Sequence, residues 1–225
     1  MCGRYEVHTP VEDLARRFEA ALTPDAAALP LRYNVAPSLK VPVVRFRKRQ
    51  REVAALSWGL LPSWSKDARM HRPINARADS VFDKPMFRNA IARRRCLIPA
   101  DGFYEWQQGP GGKQPWHVGM LDHSTFALGG IWEYWAKPGG EPVLSCAVVV
   151  TDANELVAKI HDRMPVIVAP EDYDRWLDPE LTDPMEIQRM LAPYPAEEMR
   201  AYPVSHEVNN ANNEGPQLIQ PLEQD

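Results

Sequence analysis

Prolines are the feature of this chain that most restricts how it can fold. The sequence holds 22 prolines among 225 residues, about twice the usual share of roughly 5%. A proline ends a helix and is confined to the edges of sheets, so prolines at this density divide a chain into many short elements. A chain of 225 residues can bury one sizeable core or two small ones, and we expect a single domain.

Several segments have the pattern of a defined secondary structure. Thr9-Pro10-Val11-Glu12 combines a capping box with a proline at the first helical position, which predicts a helix through about Ala21. Alternating apolar residues predict a hairpin that pairs about 41–47 with 52–58, and further strands at 96–100, 116–121, 126–132 and 143–150, the last preceded by a turn at Gly139-Gly140. Short helices are predicted to begin near Thr151, Pro170 and Pro184.

Composition excludes several classes of protein. The chain is 44% hydrophobic and 25% charged, as soluble globular proteins are, and no apolar run approaches the roughly 18 residues of a membrane span. The start also lacks the pattern of a secretory signal, so we expect a cytoplasmic protein. The three cysteines, Cys2, Cys96 and Cys146, are too few and too far apart for a disulfide framework or a zinc knuckle. We therefore expect reduced thiols and neither metal nor cofactor.

Charge is distributed unevenly along the chain. Residues 1–100 hold 19 Lys and Arg against 9 Asp and Glu, whereas residues 101–225 hold 7 against 21. Such asymmetry predicts a basic face suited to a polyanion and an acidic face opposite, although two ordinary solvated faces would give the same count. The basic residues within 45–51 are interpreted as a solvated sheet edge that discourages pairing with other sheets.

The first residues of the chain could supply a reactive group. If Met1 is trimmed, Cys2 becomes the N-terminus and presents an amine of pKa about 7.7–8.0 beside a thiol of pKa about 8.5. Such a 1,2-aminothiol can condense with an aldehyde to an imine, which the sulfur closes into a thiazolidine. The alternative is that Cys2 is a small buried hydrophobic residue near the chain end.

Two further residues could transfer protons. Glu105 lies between aromatic residues, and an apolar environment raises the pKa of a carboxyl group toward neutrality; an ion pair with an arginine is the alternative. His161 lies at a bend before a Pro-terminated turn, where a titrating imidazole could face a cleft.

Four residues could contact a ligand. Trp58 and Trp64 flank a turn, and we expect one of them to be core and the other exposed. An exposed tryptophan in the basic half could stack on unpaired bases. Asn75 and Arg77 stand two positions apart before a short helix, where a cap and a surface charge are the ordinary interpretation.

Several long motifs, in order, closely resemble the SRAP family, the SOS-response-associated peptidase proteins. The matching motifs are CGRY at 2–5, YNVAP at 33–37, WGLLPSW at 58–64, INARAD at 74–79, CLIPADGFYEW at 96–106 and IHDRMPVI at 160–167. The resemblance implies an α+β fold, a single domain with a curved, barrel-like, mixed β core flanked by short helices. It spans about residues 1–209, with 210–225 expected to form an extended tail.

The resemblance also implies a function and a site. It implies a DNA-damage-response protein that caps abasic sites in single-stranded DNA through a covalent crosslink. We expect this protein to be a monomer and to be associated with the nucleoid when bound to DNA. Carried over by position, Cys2 is the nucleophile after Met1 removal, with Asn75, Glu105 and His161 as its neighbours. The DNA-contacting positions implied are phosphate contacts at Arg4, Arg77 and Arg163 and a base-facing surface at Pro37 and Trp64.

The chain departs from the family pattern at Asp79 and Asp152, which leaves details of DNA contact open. Three other classes of activity also remain open. The family's label suggests a cysteine autopeptidase or N-terminal-nucleophile hydrolase. An imine at the abasic carbon would permit β-elimination, as in a lyase. A DNA-binding module without chemistry is the third.

Overall fold

Short strands make up most of the structure, a computed structural model that describes residues 2–67, 69–136 and 141–222. The strands are β1 Arg4–Val7, β2 Ala21–Leu22, β3 Arg32–Val35, β4 Lys40–Arg47, β5 Gln50–Trp58, β6 Asn75–Arg77, β7 Arg95–Ala100, β8 Gly102–Gly109, β9 Gly112–Met120, β10 Phe126–Trp135, β11 Val143–Asp152, β12 Arg163–Pro165, β13 Ile167–Val168 and β14 Met199–Pro203. The α-helices are α1 Val11–Arg17, α2 Pro24–Ala27, α3 Arg88–Arg93, α4 Tyr173–Leu177 and α5 Pro184–Arg189. Single 3-10 turns cover Val157–Lys159, Pro170–Asp172, Ala196–Glu198, His206–Asn209 and Pro216–Ile219.

Two sheets form the core of the fold. The larger has the strand order β12-β11-β10-β7-β4-β5-β2, and β5 also pairs in parallel with β11, so the sheet curves into a ring. The smaller has the order β14-β9-β8-β1-β3. The prediction of a single α+β domain with a curved, barrel-like, mixed β core is confirmed.

The space between the sheets is filled by one large apolar cluster. β1 and β8 contribute Tyr5 and Phe103, and β5, β7 and β11 contribute fully buried aliphatic residues, among them Leu56, Ile98 and Val149. Trp58 packs edge-on to Tyr5, with ring centroids 5.3 Å apart. Because β1 is an interior strand of the smaller sheet, between β8 and β3, Cys2, two residues before it, is held against this core.

The first helix is shorter than predicted and is capped differently. α1 ends at Arg17 rather than near Ala21, because Ala21 and Leu22 pair in parallel with β5 instead. The predicted capping box is wrong: Thr9 Oγ1 donates to Asp101 Oδ1 at 2.7 Å, and Pro10 is the N-cap. None of the described helices is long and apolar enough to span a membrane.

The predicted hairpin is confirmed, with β4 and β5 paired from Lys40↔Ser57 to Arg47↔Gln50. Its two-residue turn places Lys48 and Arg49 at positive φ, as type I′ turns require. The solvated-edge interpretation is wrong for Arg45, which is buried, pairs with Glu52 at 2.7 Å and stacks over Trp132. Arg45 is buried because β4 continues on its far side into pairing with β7.

Outcomes differ among the other predicted segments. Helical turns begin at Pro170 and Pro184 as predicted. The predicted helix from Thr151 is wrong over its first residues, because Thr151 and Asp152 complete β11 by pairing with β12, and only Val157–Lys159 forms a 3-10 turn. The turn predicted at Gly139-Gly140 lies outside the described residues.

The segment after Asn209 packs onto the domain, contrary to the extended tail predicted for 210–225. The buried Asn34 amide donates to the carbonyls of Asn210 and Asn213 at 3.0 and 2.9 Å. Leu218 is fully buried. The described part, to residue 222, is therefore held by a buried amide and an apolar anchor, neither of which is evident from its polar composition.

Candidate active site and nucleic-acid surface

Cys2 lies two residues before β1, an interior strand of the smaller sheet between β8 and β3. β1 pairs with β8 through Arg4↔Tyr104, which places the chain before Arg4 beside Glu105. The Cys2 side chain is fully buried in the apolar cluster, with its Sγ 3.9 Å from the Arg4 carbonyl oxygen, to which it donates. Burial raises the pKa of the Cys2 thiol well above its ordinary value, so the sulfur is held as a neutral thiol.

Asn75 links a different part of the chain to Cys2. It opens β6, which pairs in parallel with β11 from Asn75↔Val148 onward. Its Nδ2 donates to the carbonyl oxygen of Cys2 at 2.8 Å. Its Oδ1 is buried and accepts no hydrogen bond from any described residue. The amide therefore holds Cys2 and keeps one acceptor available in the site.

Glu105 is a buried glutamate on β8, with 2% of its surface exposed. Burial raises the pKa of its carboxyl group, and the electrostatic interaction with His161 opposes part of that rise. A carboxyl group whose pKa is raised in this way holds a proton more tightly than an exposed one and can transfer protons within a site.

His161 faces the same cavity as Glu105. Its Nδ1 accepts the backbone N–H of Arg163 at 3.0 Å and lies 2.8 Å from the carboxylate of the exposed Asp162. Since an Nδ1 that accepts an N–H carries no hydrogen, the neutral ring has its hydrogen on Nε2.

The cavity has a volume of about 380 Å³ and is lined by Glu105, Trp106, Lys113, His161 and Asn209. Sites for small molecules begin at about 300 Å³, so it is large enough to accept one. Within the described residues, no group of three or more His, Cys, Asp and Glu side chains could hold a metal ion.

Arg77 and Arg163 meet at one end of β11, because β6 and β12 both pair with that strand, through Val150↔Arg77 and Asp152↔Arg163. Arg77 donates to Asp79 Oδ2 at 2.5 Å, which lowers the pKa of that carboxyl group. Arg163 contacts Asp152 at 2.9 Å and Asp79 at 3.5 Å. The two positions at which the chain departs from the family pattern therefore hold the two arginines.

The other predicted DNA-contacting residues lie in different environments. Arg4 is half-buried and donates to Asn34 Oδ1 at 2.7 Å and to the Val208 carbonyl at 2.8 Å. Pro37 is exposed. The expected division of the two tryptophans is confirmed: Trp58 is 1% exposed and Trp64 is 54% exposed. A role for these residues in DNA contact stays a prediction.

Comparisons with known proteins agree with this architecture. The family model for SOS response associated peptidase (SRAP) matches residues 1–211. The chain belongs to the SRAP family. It is 40% identical to the abasic site processing protein YoqW of Bacillus subtilis, over 98% of this chain and 99% of the relative.

Two more distant proteins also match this chain over most of its length. The chicken abasic site processing protein HMCES is 32% identical over 85% of this chain and 66% of its own length. A solved structure from Bacteroides thetaiotaomicron is 28% identical and superposes with a TM-score of 0.88, over 99% of this chain and all of that one.

Three residues of this SRAP site were not singled out by the sequence pattern. Asn34 is fully buried and bonds both Arg4 and the C-terminal segment. Lys113 and Asn209 line the cavity beside Glu105 and His161. Asn34 is part of the YNVAP motif, which is a usable signal, whereas the other two lie outside every motif.

Proposed function

We propose that this protein processes abasic sites in DNA, capping them in single strands through a thiazolidine crosslink on Cys2. The observation that carries the proposal is the hydrogen bond from Asn75 to the Cys2 carbonyl, which holds Cys2 beside Glu105. The names of relatives from Bacillus subtilis and chicken as abasic site processing proteins support the choice of substrate.

The chemistry balances without a metal or an added reagent. Removal of Met1 frees the Cys2 amine, which adds to the aldehyde carbon of the opened abasic sugar and expels water to form an imine. The S–H of Cys2 then adds across the C=N bond, so that a C–S bond forms and the hydrogen passes to nitrogen. Overall, one water leaves and a five-membered thiazolidine remains.

Each neighbouring group has a part in this scheme. An abasic sugar is mostly a closed hemiacetal, so an acid must assist its opening, and the Nε2–H of His161 can donate to the ring oxygen. Glu105, whose carboxyl pKa is raised by burial, accepts a proton from the Cys2 ammonium. The available Oδ1 of Asn75 accepts a hydrogen from the amine or adduct nitrogen.

Burial of the Cys2 thiol supports an amine-first order of steps. Because burial raises the pKa of the thiol, little thiolate is available to start the reaction. An autopeptidase or acyl-transfer role requires the thiolate as the attacking group, so this site supports imine formation first and sulfur addition second. An intact base has no aldehyde, which gives lesion selectivity without base reading.

DNA affinity would come from phosphate contacts and stacking. We propose that Arg77, Arg163 and the partly buried Arg4 face the backbone and that Trp64, with Pro37, supports bases beside the lesion. Phosphate contacts make binding depend on salt concentration, whereas stacking on Trp64 is insensitive to sequence. No contact in the scheme requires a second copy of the chain, so we propose that a monomer acts.

Incubation of the Met1-free protein with single-stranded DNA containing one abasic site tests the proposal. We expect a protein–DNA adduct that survives denaturation, and none from Cys2→Ala without borohydride. A cut strand would indicate a lyase, a cut polypeptide would indicate a peptidase, and reversible binding alone would indicate a binding module. Each of these three results without a stable adduct would contradict the proposal.

A further inference from the structure

The cavity beside Glu105 and His161 extends past the groups that the crosslinking chemistry uses. Its other lining residues are Trp106, Lys113 and Asn209, none of which the proposed reaction employs. Asn209 Oδ1 accepts the indole N–H of Trp106 at 2.7 Å, which fixes the plane of the half-buried ring.

Lys113 is placed on the same face as this indole by the β8–β9 register. Lys113 lies directly opposite Gln108, two residues along β8 from Trp106. Residues two apart on a strand share a face, and diagonal cross-strand neighbours are about 7–8 Å apart. The aliphatic part of Lys113 can therefore run beside the ring while its ammonium group reaches the cavity.

Lys113 differs from the three predicted phosphate-contacting arginines in having no partner within the described part of the chain. Arg77 and Arg163 are held by Asp79 and Asp152, and Arg4 by Asn34 and the Val208 carbonyl. For each of these, a DNA phosphate must compete with an existing contact. An ammonium group with no partner in the protein needs no such exchange.

We infer that Lys113 binds a DNA phosphate next to the abasic sugar, in the part of the cavity beyond Glu105 and His161. This inference rests on the proposed function, because it assumes that the sugar occupies the end of the cavity at those two residues. The phosphate bonded to that sugar then falls within the reach of the lysine side chain. Lys113 acts here as a positioning residue that fixes where the DNA strand lies relative to Glu105 and His161.

The test compares Lys113→Gln, which removes the charge, with Lys113→Arg, which keeps it. Lys48→Gln, at the exposed β4–β5 turn, is the matched control for loss of one positive charge. The probe is a fluorescent oligonucleotide with one tetrahydrofuran abasic analogue, whose missing aldehyde prevents crosslinking, and its affinity is measured across salt concentrations. We expect Lys113→Gln to weaken binding about 3- to 10-fold and to reduce the salt slope by about one, with Lys113→Arg close to wild type.

A second measurement locates the phosphate. Oligonucleotides with a neutral methylphosphonate on the 5′ or the 3′ side of the lesion remove one charge at a time. At one of the two positions, the substitution should weaken wild-type binding several-fold and leave Lys113→Gln unchanged.

Failure of the Lys113 inference can be distinguished from failure of the proposed function. If wild type crosslinks an abasic oligonucleotide but Lys113→Gln matches Lys48→Gln in affinity and salt slope, the inference is overturned and the proposed function stands. Equal methylphosphonate effects in wild type and Lys113→Gln at both positions would also overturn it. A wild type that neither binds nor crosslinks would overturn both.

Discussion

At the scale of single residues, Glu105 is expected to lower the stability of the folded protein at neutral pH while serving the proposed chemistry. Burial raises its carboxyl pKa in the folded protein, above the ordinary value of about 4.3. The folded state therefore binds this proton more tightly than the unfolded state, and stability falls as the pH rises through the folded pKa. Each unit of pKa shift corresponds to about 1.4 kcal/mol.

We predict that Glu105→Gln slows crosslinking and raises the free energy of unfolding at neutral pH, with the stability difference vanishing below the ordinary carboxyl pKa. Glu6→Gln is the matched control. Although burial alone would raise the pKa of Glu6, hydrogen bonds from His117 and His8 lower it, so its loss should destabilise the protein at neutral pH. Urea denaturation of both variants across pH measures this. Destabilisation by Glu105→Gln at neutral pH would contradict the account.

Asp152 is predicted to restrain DNA binding by holding Arg163. Its carboxylate lies 2.9 Å from the guanidinium, and an exposed ion pair of this kind is readily exchanged. We predict that Asp152→Asn strengthens single-stranded DNA binding a few-fold and steepens its salt dependence, because one more cation is available to phosphate. Glu180→Gln removes the same charge at an exposed position on another part of the chain. Equal effects of the two changes would attribute the gain to net charge alone.

At the scale of elements, the junction of β1, β8 and β9 depends on one small residue. Gly102 lies opposite Glu6, and the buried Glu6–His117 pair, with Oε1 and Nε2 2.7 Å apart, fills the space above it. A Cβ at Gly102 would overlap His117 Nε2 and lie 2.8 Å from Glu6 Oε1. Because Cys2 lies two residues before β1, we expect a change at Gly102 to disturb the position of Cys2.

We predict that Gly102→Ala lowers the free energy of unfolding by at least about 1–3 kcal/mol, as overpacking does, and reduces crosslink yield. Gly111→Ala is the control, because a Cβ there has no atom within 4 Å. Chemical denaturation and crosslink yield are measured on both. An unchanged stability for Gly102→Ala would show that the Glu6–His117 pair moves aside without cost.

The elements also show what the sequence could predict. The β4–β5 hairpin follows from local alternation and a two-residue turn, and the curved mixed sheet follows from the family resemblance. The capping box at Thr9 failed because a distant residue, Asp101, competes for the same hydroxyl group. Local patterns carry no information about such long-range partners.

The candidate site shows the same limit. Cys2, Asn75, Glu105 and His161 could be proposed from motifs, but the hydrogen bond from Asn75 to the Cys2 carbonyl joins residues 73 positions apart. Lys113 belongs to no motif and enters the cavity only through the register of β8 with β9. Register across strands depends on tertiary pairing that single residues do not reveal.

At the scale of the whole molecule, the C-terminal segment is joined to the rest of the domain by hydrogen bonds and by apolar packing. Asn34 bonds Arg4 on one side and the carbonyls of Asn210 and Asn213 on the other. Leu218 is fully buried, and burying one leucine contributes about 1.5–3 kcal/mol. A tail that only extended into solvent would contribute nothing.

We predict that deleting residues 210–225 lowers the thermal midpoint by several degrees and reduces crosslink yield. The Asn34 amide loses its acceptors at Asn210 and Asn213, so that it holds Arg4 less rigidly. Thermal denaturation and single-turnover crosslinking measure the two effects. Leu218→Ala separates them, since it should lower stability while keeping the hydrogen bonds of Asn34. A deletion variant as stable and as active as wild type would restore the view of a dispensable tail.

The central claim is that the linkage joins both the amine and the thiol of Cys2 to the abasic sugar. The most direct measurement is mass spectrometry of the crosslinked peptide after protease and nuclease digestion, on protein with Met1 removed. We predict one adduct, on Cys2, with the mass of peptide plus sugar minus one water, unreactive toward both borohydride and thiol alkylation. Protein that retains Met1 should give no stable adduct. A borohydride-sensitive adduct, a free Cys2 thiol in the crosslinked peptide, or an adduct on any other residue would contradict the account.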